Sequence, residues 1–488
     1  MKKILSALLI VIFFCVFNFI YNVKMGSSDN LDIDTKRLED LIYQGYAKGP
    51  EQTSFEYEID SKDWVSTVRN HPYYAYNQPH LSWKISWILD GLYYAYKSTG
   101  DEKFLRDSLH MYDCLLERRD DNENRVAWNG KIYPLWGSTS RYNGAFFPLI
   151  DEQGNRIGSI EFHGIHHDQT TVSIKRKSGQ YFDLTINDKN KAYLLQDLTL
   201  NSIEKRVSEE IDWSYYGSPL EDNRVVKITL HESNLKNLPI ECEGSLVNSM
   251  NVPNVVFSGL ILKPMAQTYI ELKRLNDPQA KKYKEIMEET IDALIELTWQ
   301  EKESEYGFFK NPDNSPSFLG GNQILPWNQQ VPLVAAMAIL GAEEGNDYYK
   351  LVVKKWSNYF LKHVEKTKKG YVWKYWEDPT ETITWSESTN YGGIDVEGIY
   401  IIYASGIAFN DTDMQEITNT IRYQVLGKDR TVSGDISGKN KKKEHFIYLY
   451  NYLPYAKEIP ELIEWLNAEE LEWYQASQVL YFYLKYKD

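Results

Sequence analysis

The residue types best suited to chemistry gather in one stretch, Trp385 to Phe409, which reads WSESTNYGGIDVEGIYIIYASGIAF. Its first half carries Glu387, Asn390 and Tyr391 with two glycines, and its second half becomes an apolar helix. Polar groups are therefore delivered at a helix N-terminus, where unsatisfied backbone N–H groups carry partial positive charge. The same grammar returns at Tyr76–Trp83, with Tyr76, Asn77 and His80, and at Leu325–Gln330, with Trp327, Asn328 and Gln329. A last member begins at Glu444, His445 and Tyr448. The side chains divide by role. Tyr391, His80 and His445 can carry a proton; Asn77, Asn328, Gln329 and Asn390 can donate hydrogen bonds to an anion. Glu387 with Asp395 or Glu397 offers two carboxylates of the kind glycoside hydrolysis requires, and Asp90 is a further carboxylate in an apolar helix. Taken singly, each Asn or Gln is equally a helix cap, and Asp395 and Glu397 can be hydrogen-bonded struts between helices.

These positions are far apart in the chain, so something must bring them together. Leu105, Leu109, Tyr112, Leu115 and Leu116 recur at the three-and-four spacing of an amphipathic helix, and Trp83–Tyr96 before it is apolar nearly all round. Ser98-Thr99-Gly100-Asp101 between them is a glycine stop followed by an acidic start. The pair returns as Val331–Leu340 with the stripe Tyr349, Val352, Val353, Trp356, Phe360 and Val364, and as Ile394–Ala404 with Met414, Ile417, Ile421 and Val425. Two less regular pairs occupy Val255–Trp299 and His445–Tyr486. A repeated pair of one buried and one amphipathic helix predicts stacked hairpins, and alternation of inner and outer helices predicts a closed (α/α) barrel, or toroid. In such a barrel the inner helices run one way, so the loops leading into them meet at one rim. From 144 to 250 the pattern changes to strand alternation, at Thr171–Lys175, Tyr181–Ile186 and Val225–Leu230, which predicts a small β-rich insertion.

Composition narrows the function classes. A chain of 488 residues, 42% hydrophobic, can bury a large core and is not disordered. A net charge of -15 argues against nucleic acid, which needs clustered Lys and Arg. The 37 Tyr and 14 Trp suit a groove that stacks flat sugar rings as well as an aromatic core. Cys15, Cys114 and Cys242 make neither a disulfide framework nor a zinc signature. His163, His166 and His167, beside Glu161 and Asp168, have the ligand types for a divalent ion, but their spacing matches no established signature and reads as a polar strand end. No metal and no cofactor is expected. Lys2 and Lys3 precede an apolar run from Ile4 to Val23 long enough to span a bilayer, which predicts an inside N-terminus with the body outside the cytoplasm. The expected order is a signal anchor or signal peptide at 1–25, a polar linker at 26–63, toroid at 64–143, the β-rich insertion at 144–250 and the remaining toroid at 251–488.

With this pattern in view, STGDEKF, LPWNQQ and above all NYGGIDVEGIYIIYASGIAFNDTDM resemble the hairpins of secreted bacterial (α/α) toroid proteins. That fold is similar to the one used by six-hairpin glycosidases, toroidal polysaccharide lyases and the C-terminal domain of glucuronyl C5-epimerases. The likeness covers roughly Tyr73–Arg119 and Val255–Tyr486 and leaves out the β-rich insertion. Where that class usually carries an acidic pair and a His, this chain has Ser386-Glu387-Ser388-Thr389-Asn390-Tyr391. The resemblance implies a carbohydrate-active protein whose partner is an acidic polysaccharide or oligosaccharide, acting by lyase- or epimerase-type removal of the proton α to a uronate carboxylate. Tyr391, His80, His445 and Glu387 are then the expected catalytic residues, and Tyr76, Asn77, Trp327, Asn328, Gln329, Asn390 and Asp395 the expected substrate-binding ones. Hydrolysis by a carboxylate pair, and a non-catalytic cell-surface glycan-binding or assembly protein, are the alternatives.

Overall fold

The computed structural model describes residues 33–48, 78–138, 145–150, 156–162, 170–178, 180–188, 191–199, 201–211, 226–230, 241–245, 251–313, 315, 322–377 and 386–487. The expected N-terminal membrane segment, Tyr76, Asn77 and the cluster of His163, His166 and His167 lie outside these residues, as does the side chain of His80. Among the described residues no helix is long and apolar enough to cross a membrane.

The described chain is mainly helical. Its helices are α1 (Thr35–Lys48), α2 (Gln78–Thr99), α3 (Glu102–Glu117), α4 (Ile203–Glu210), α5 (Val255–Arg274), α6 (Gln279–Thr298), α7 (Trp327–Glu344), α8 (Asp347–His363), α9 (Thr389–Ala404), α10 (Asp411–Thr420), α11 (Glu461–Asn467) and α12 (Trp473–Tyr486), with a 3₁₀ segment at Glu444–Tyr455. The turns inside the hairpins share one chemistry. Gly100 and Gly345 adopt left-handed backbone, φ +72° and +70°, which stops α2 and α7 without the steric cost a side chain would bring. An Asx cap then starts the partner: Asp101 accepts from the Lys103 N–H at 3.0 Å, and Asn346 accepts from the Tyr348 and Tyr349 N–H groups at 3.1 Å.

Helices α2, α5, α7 and α9 pack each on the next; α9 packs on the 3₁₀ segment, which touches α12, and α12 returns to α2. Outside them, α3 covers α2, α6 covers α5, α8 covers α7, α11 covers the 3₁₀ segment and α1 covers α12, while α10 touches the end of α9. Helix α7 has residues buried all round its axis, including Val331, Val334, Ala335 and Ala338, whereas α8 buries only the stripe through Val352, Val353, Trp356 and Phe360. Close approach of α5 to α7 depends on Gly259, where a Cβ would stand 2.7 Å from the Leu333 backbone nitrogen.

Helix α1 corrects one expectation, that 26–63 is a polar linker. Leu38 and Ile42 are fully buried, and Tyr46 packs its ring against Phe104 and Trp473 at 5.1 and 5.5 Å between centroids. The stripe Leu38, Leu41, Ile42, Tyr46 has helical spacing, but charged neighbours dilute it in the sequence. The other departure is in the His445–Tyr486 region, where the inner element is a 3₁₀ segment containing Pro454.

Between α3 and α5 the chain forms two antiparallel sheets. One joins strands Ala145–Ile150, Arg156–Phe162 and Val226–Leu230; the other orders Lys191–Leu198, Phe182–Asp188, Thr171–Arg176 and Glu241–Ser245. They share a hydrophobic cluster, including Phe147, Ile160, Ile174 and Leu184, that is separate from the helical core. Gly137–Ser138 pairs with Val252–Pro253 where the chain leaves and rejoins the helices, and Asp120 ties that joint by accepting from Gly137 N–H at 3.0 Å and Asn251 Nδ2 at 2.6 Å.

Candidate functional site

The segment leading into α9 is pinned from both sides. Glu387 N–H donates to the Trp373 carbonyl at 3.0 Å, and the Glu387 carbonyl accepts from Ile436 N–H at 3.0 Å. Ser388 caps α9 by accepting from Tyr391 N–H at 3.2 Å, as its residue type predicts. Thr389 donates its N–H to Gly434 O at 3.1 Å and its hydroxyl to Ser433 O at 2.6 Å, and Tyr452 donates to Thr389 O at 2.7 Å. The first turn of α9 is thus held rigidly by three other segments.

On this turn stands Tyr391, 37% exposed, with ring centroids of Trp83 at 6.4 Å and Tyr375 at 5.9 Å. Trp83 belongs to α2 and Tyr375 follows the strand Gly370–Val372, so three distant segments meet in one aromatic arch. Gln329 from α7 lies close to the Tyr375 hydroxyl. Burial pushes the Tyr375 phenol up, reinforced by Glu387 and Tyr391. Asn328 is buried with its Oδ1 unpartnered, which is unusual for an interior amide. Asn390 is half-buried in the first turn of α9.

Beneath the arch lie Glu387 and Asp395, both inaccessible to solvent. Ser388 N–H donates to Glu387 Oε1 at 2.7 Å and Trp373 Nε1 donates to Asp395 Oδ2 at 2.9 Å, leaving Glu387 Oε2 and Asp395 Oδ1 unpartnered. Desolvation raises the affinity of both carboxyls for protons, and for Glu387 the nearby Asp395 adds to the shift. Gly392 makes room, since a Cβ there would meet Ile436 Cγ2 at 2.7 Å and Glu387 Cγ at 3.5 Å.

A second carboxyl cluster lies on another face of α9. Lys263 of α5 donates to Asp90 Oδ2 of α2 at 3.1 Å and to Glu397 Oε2 of α9 at 2.7 Å. All three are buried. Burial dominates in raising Asp90 to about 7, opposed by Lys263, while Asp90 and Glu397 hold the Lys263 ammonium protonated against desolvation. Trp87, one turn after Trp83 and 38% exposed, packs edge-on against Tyr450 at 6.2 Å.

Several expected site residues are therefore relocated. Trp327 does not line an open surface: it is 2% exposed and packed against Trp356, Tyr359 and Phe360, because so large an apolar ring gains more between α7 and α8 than in water. Glu387, expected as catalytic, and Asp395, expected to bind substrate, form a covered pair under Tyr375 and Tyr391. Glu397 is bound to Lys263 and does not share a site with Glu387. His445 holds the loop beside the site, with Nδ1 3.3 Å from Val432 O and Cε1 close to Gly434. Lys263, Trp373 and Tyr375 were missed. A lone Lys in the apolar run VVFSGLILKPMAQ was the available signal for Lys263; Trp373 and Tyr375 lie outside every helical repeat. Among the described residues no group of three or more His, Cys, Asp and Glu side chains is arranged to hold a metal ion.

No known family model matches the chain, and no curated protein matches it.

Proposed function

We propose that this is a carbohydrate-active protein of the (α/α) toroid type, acting on an acidic, uronate-containing polysaccharide by lyase- or C5-epimerase-type proton abstraction. The circuit of helix contacts from α2 through α12 and back supports the toroid. The observation that carries the chemistry is Tyr391, an exposed phenol on the first turn of a rigidly held helix, flanked by two aromatic rings suited to a sugar face. In this reading Tyr391 first releases its own proton to solvent, and the phenolate oxygen then takes the C5 proton. The electron pair left behind is delocalised into the uronate carboxylate, which the helix N-termini and the half-buried amide of Gln329 stabilise. Expulsion of the C4 oxygen, which takes its proton from Tyr391, then completes elimination, or delivery of a solvent proton to the opposite face completes epimerisation. Glu387 and Asp395, kept protonated by burial, do not oppose negative charge on Tyr391 or on the sugar. The apolar run after Lys2 and Lys3 favours a body outside the cytoplasm, held at the membrane or secreted.

Hydrolysis is less well supported, because the Glu387–Asp395 pair is covered and Glu397 is committed to Lys263. Incubation with uronate polymers separates the readings: elimination creates an ultraviolet-absorbing product, epimerisation exchanges the C5 hydrogen with solvent, and hydrolysis releases reducing ends alone. Tyr391→Phe should abolish turnover and change stability by less than about 0.5 kcal/mol, as a surface substitution does. Unchanged activity in that variant would remove Tyr391 from the mechanism, and silence in all three assays with retained glycan binding would identify a scaffold.

A further inference from the structure

The protein is acidic overall, with a net charge of -15, yet one part of the rim is not. The loop GKNKKKEH, 438–445, brings Lys439, Lys441 and Lys443 to the surface, and the segment KKGYVWK, 368–374, brings Lys369 and Lys374. All five are exposed, and among the described residues none of them forms an ion pair within 4.0 Å. By contrast Lys366, a few residues away, is paired with Glu416 at 2.6 Å. Asp435, just before the loop, is occupied by Ser437, whose N–H and hydroxyl donate to its Oδ1 at 2.9 and 2.6 Å.

The two lysine segments converge beside Tyr391. Lys374 pairs with Ser386 immediately before Glu387, and the Lys439 carbonyl accepts from Gly434 N–H at 2.9 Å and Ser433 Oγ at 2.6 Å, the same two residues that anchor Thr389. Partial burial, reinforced by nearby Lys369, lowers the proton affinity of Lys441, whose ammonium donates to Leu426 O at 2.8 Å. Like charges brought together at a cost in self-repulsion, in a chain with acidic residues to spare, make a field suited to an anionic partner.

We propose that Lys369, Lys374, Lys439, Lys441 and Lys443 form a docking strip for a polyanionic glycan, binding carboxylate or sulfate groups on the sugars that flank the one at Tyr391. The inference rests on the reading of Tyr391 as the reacting centre only for which sugar is flanked. Binding and turnover are measured separately, so either can fail alone. The probe is dextran sulfate, with neutral dextran of the same size as the reference and titration over a range of salt. The full chain should bind dextran sulfate and not dextran, with affinity falling as salt rises. Lys374→Glu, Lys439→Glu and Lys443→Glu combined should weaken binding at least about tenfold and flatten the salt dependence, as expected when contacts to a polyelectrolyte are lost. A control with the same charge change at exposed lysines elsewhere, Lys281→Glu, Lys354→Glu and Lys457→Glu, should leave affinity nearly unchanged. Tyr391→Phe should bind dextran sulfate like the parent. Equal losses in both triple variants, no preference for dextran sulfate over dextran, or binding to phosphatidylserine vesicles through these lysines without binding to dextran sulfate would overturn the proposal.

Discussion

Asp395 and Glu397 are two residues apart on α9 and both are buried, at 1% and 4% exposure, yet they belong to different kinds of cluster. Two residues turn a helix by roughly 200°, so Glu397 meets Lys263 on one face while Asp395 meets Trp373 on the other. The first cluster sets one ammonium against two carboxyls and lets Asp90 approach neutrality, which leaves little net charge among α2, α5 and α9. The second sets two carboxyls together with no cation and keeps protons instead. Burial of an acid is thus a poor guide to its role; what neutralises it is a better one. A cation makes a strut, whereas a retained proton leaves a hydrogen-bonding group whose charge changes with pH, directly under the exposed Tyr391.

Removing the cation should have the largest effect. Lys263→Met leaves Asp90 and Glu397 buried without compensation and should cost about 3–5 kcal/mol, read from chemical denaturation midpoints. Adding Asp90→Asn and Glu397→Gln to that variant should recover most of the loss. If Lys263→Met alone is nearly neutral, the two clusters do not differ as described. A smaller loss, about 2–4 kcal/mol, is expected for Trp373→Phe, which empties space beside Phe360 and strips Asp395 of the indole that donates to its Oδ2. That variant should also lower turnover, because the Trp373 indole holds Asp395 beneath Tyr391; the same stability loss with full activity would detach the pair from the site.

This contrast shows where the sequence was informative. The Gly100–Asp101 turn and the stripe from Tyr349 to Phe360 are local, so their chemistry identifies them without knowledge of distant partners. The delivery of Tyr391 to the start of a helix was legible for the same reason, although the helix begins at Thr389, earlier than the apolar run from Ile394 indicates. Its neighbours were not: Trp83 and Tyr375 reach it only after three separate segments have packed, and nothing in the spacing of KYW around Tyr375 marks it. Trp327 shows the opposite failure. An aromatic beside two amides at a helix start looks like a ligand platform, and only the outer helix α8, with Trp356 and Phe360 facing it, makes the core a better place for that ring. Helix α1 was hidden because its apolar stripe is diluted by Lys and Glu that face solvent.

The subtlest difference between the clusters is in their response to pH. Asp395 binds its proton more tightly folded than unfolded, so its contribution to stability is present in full below the ordinary carboxylate range, about 4, and is lost as pH rises through about 8. Asp90 adds a slope of the same sign that is nearly complete by about 7. Asp395→Asn cannot ionise, yet its amide oxygen can still accept from Trp373 Nε1. Its unfolding free energy should therefore decline less steeply than the parent's between pH 5 and 8, by up to about 1.4 kcal/mol per pH unit for one proton no longer released. The Asp90 slope should remain, because Lys263 and Glu397 are untouched. Parallel curves for parent and variant would mean that Asp395 is already ionised at neutral pH, and the uncharged floor beneath Tyr391 would go with it.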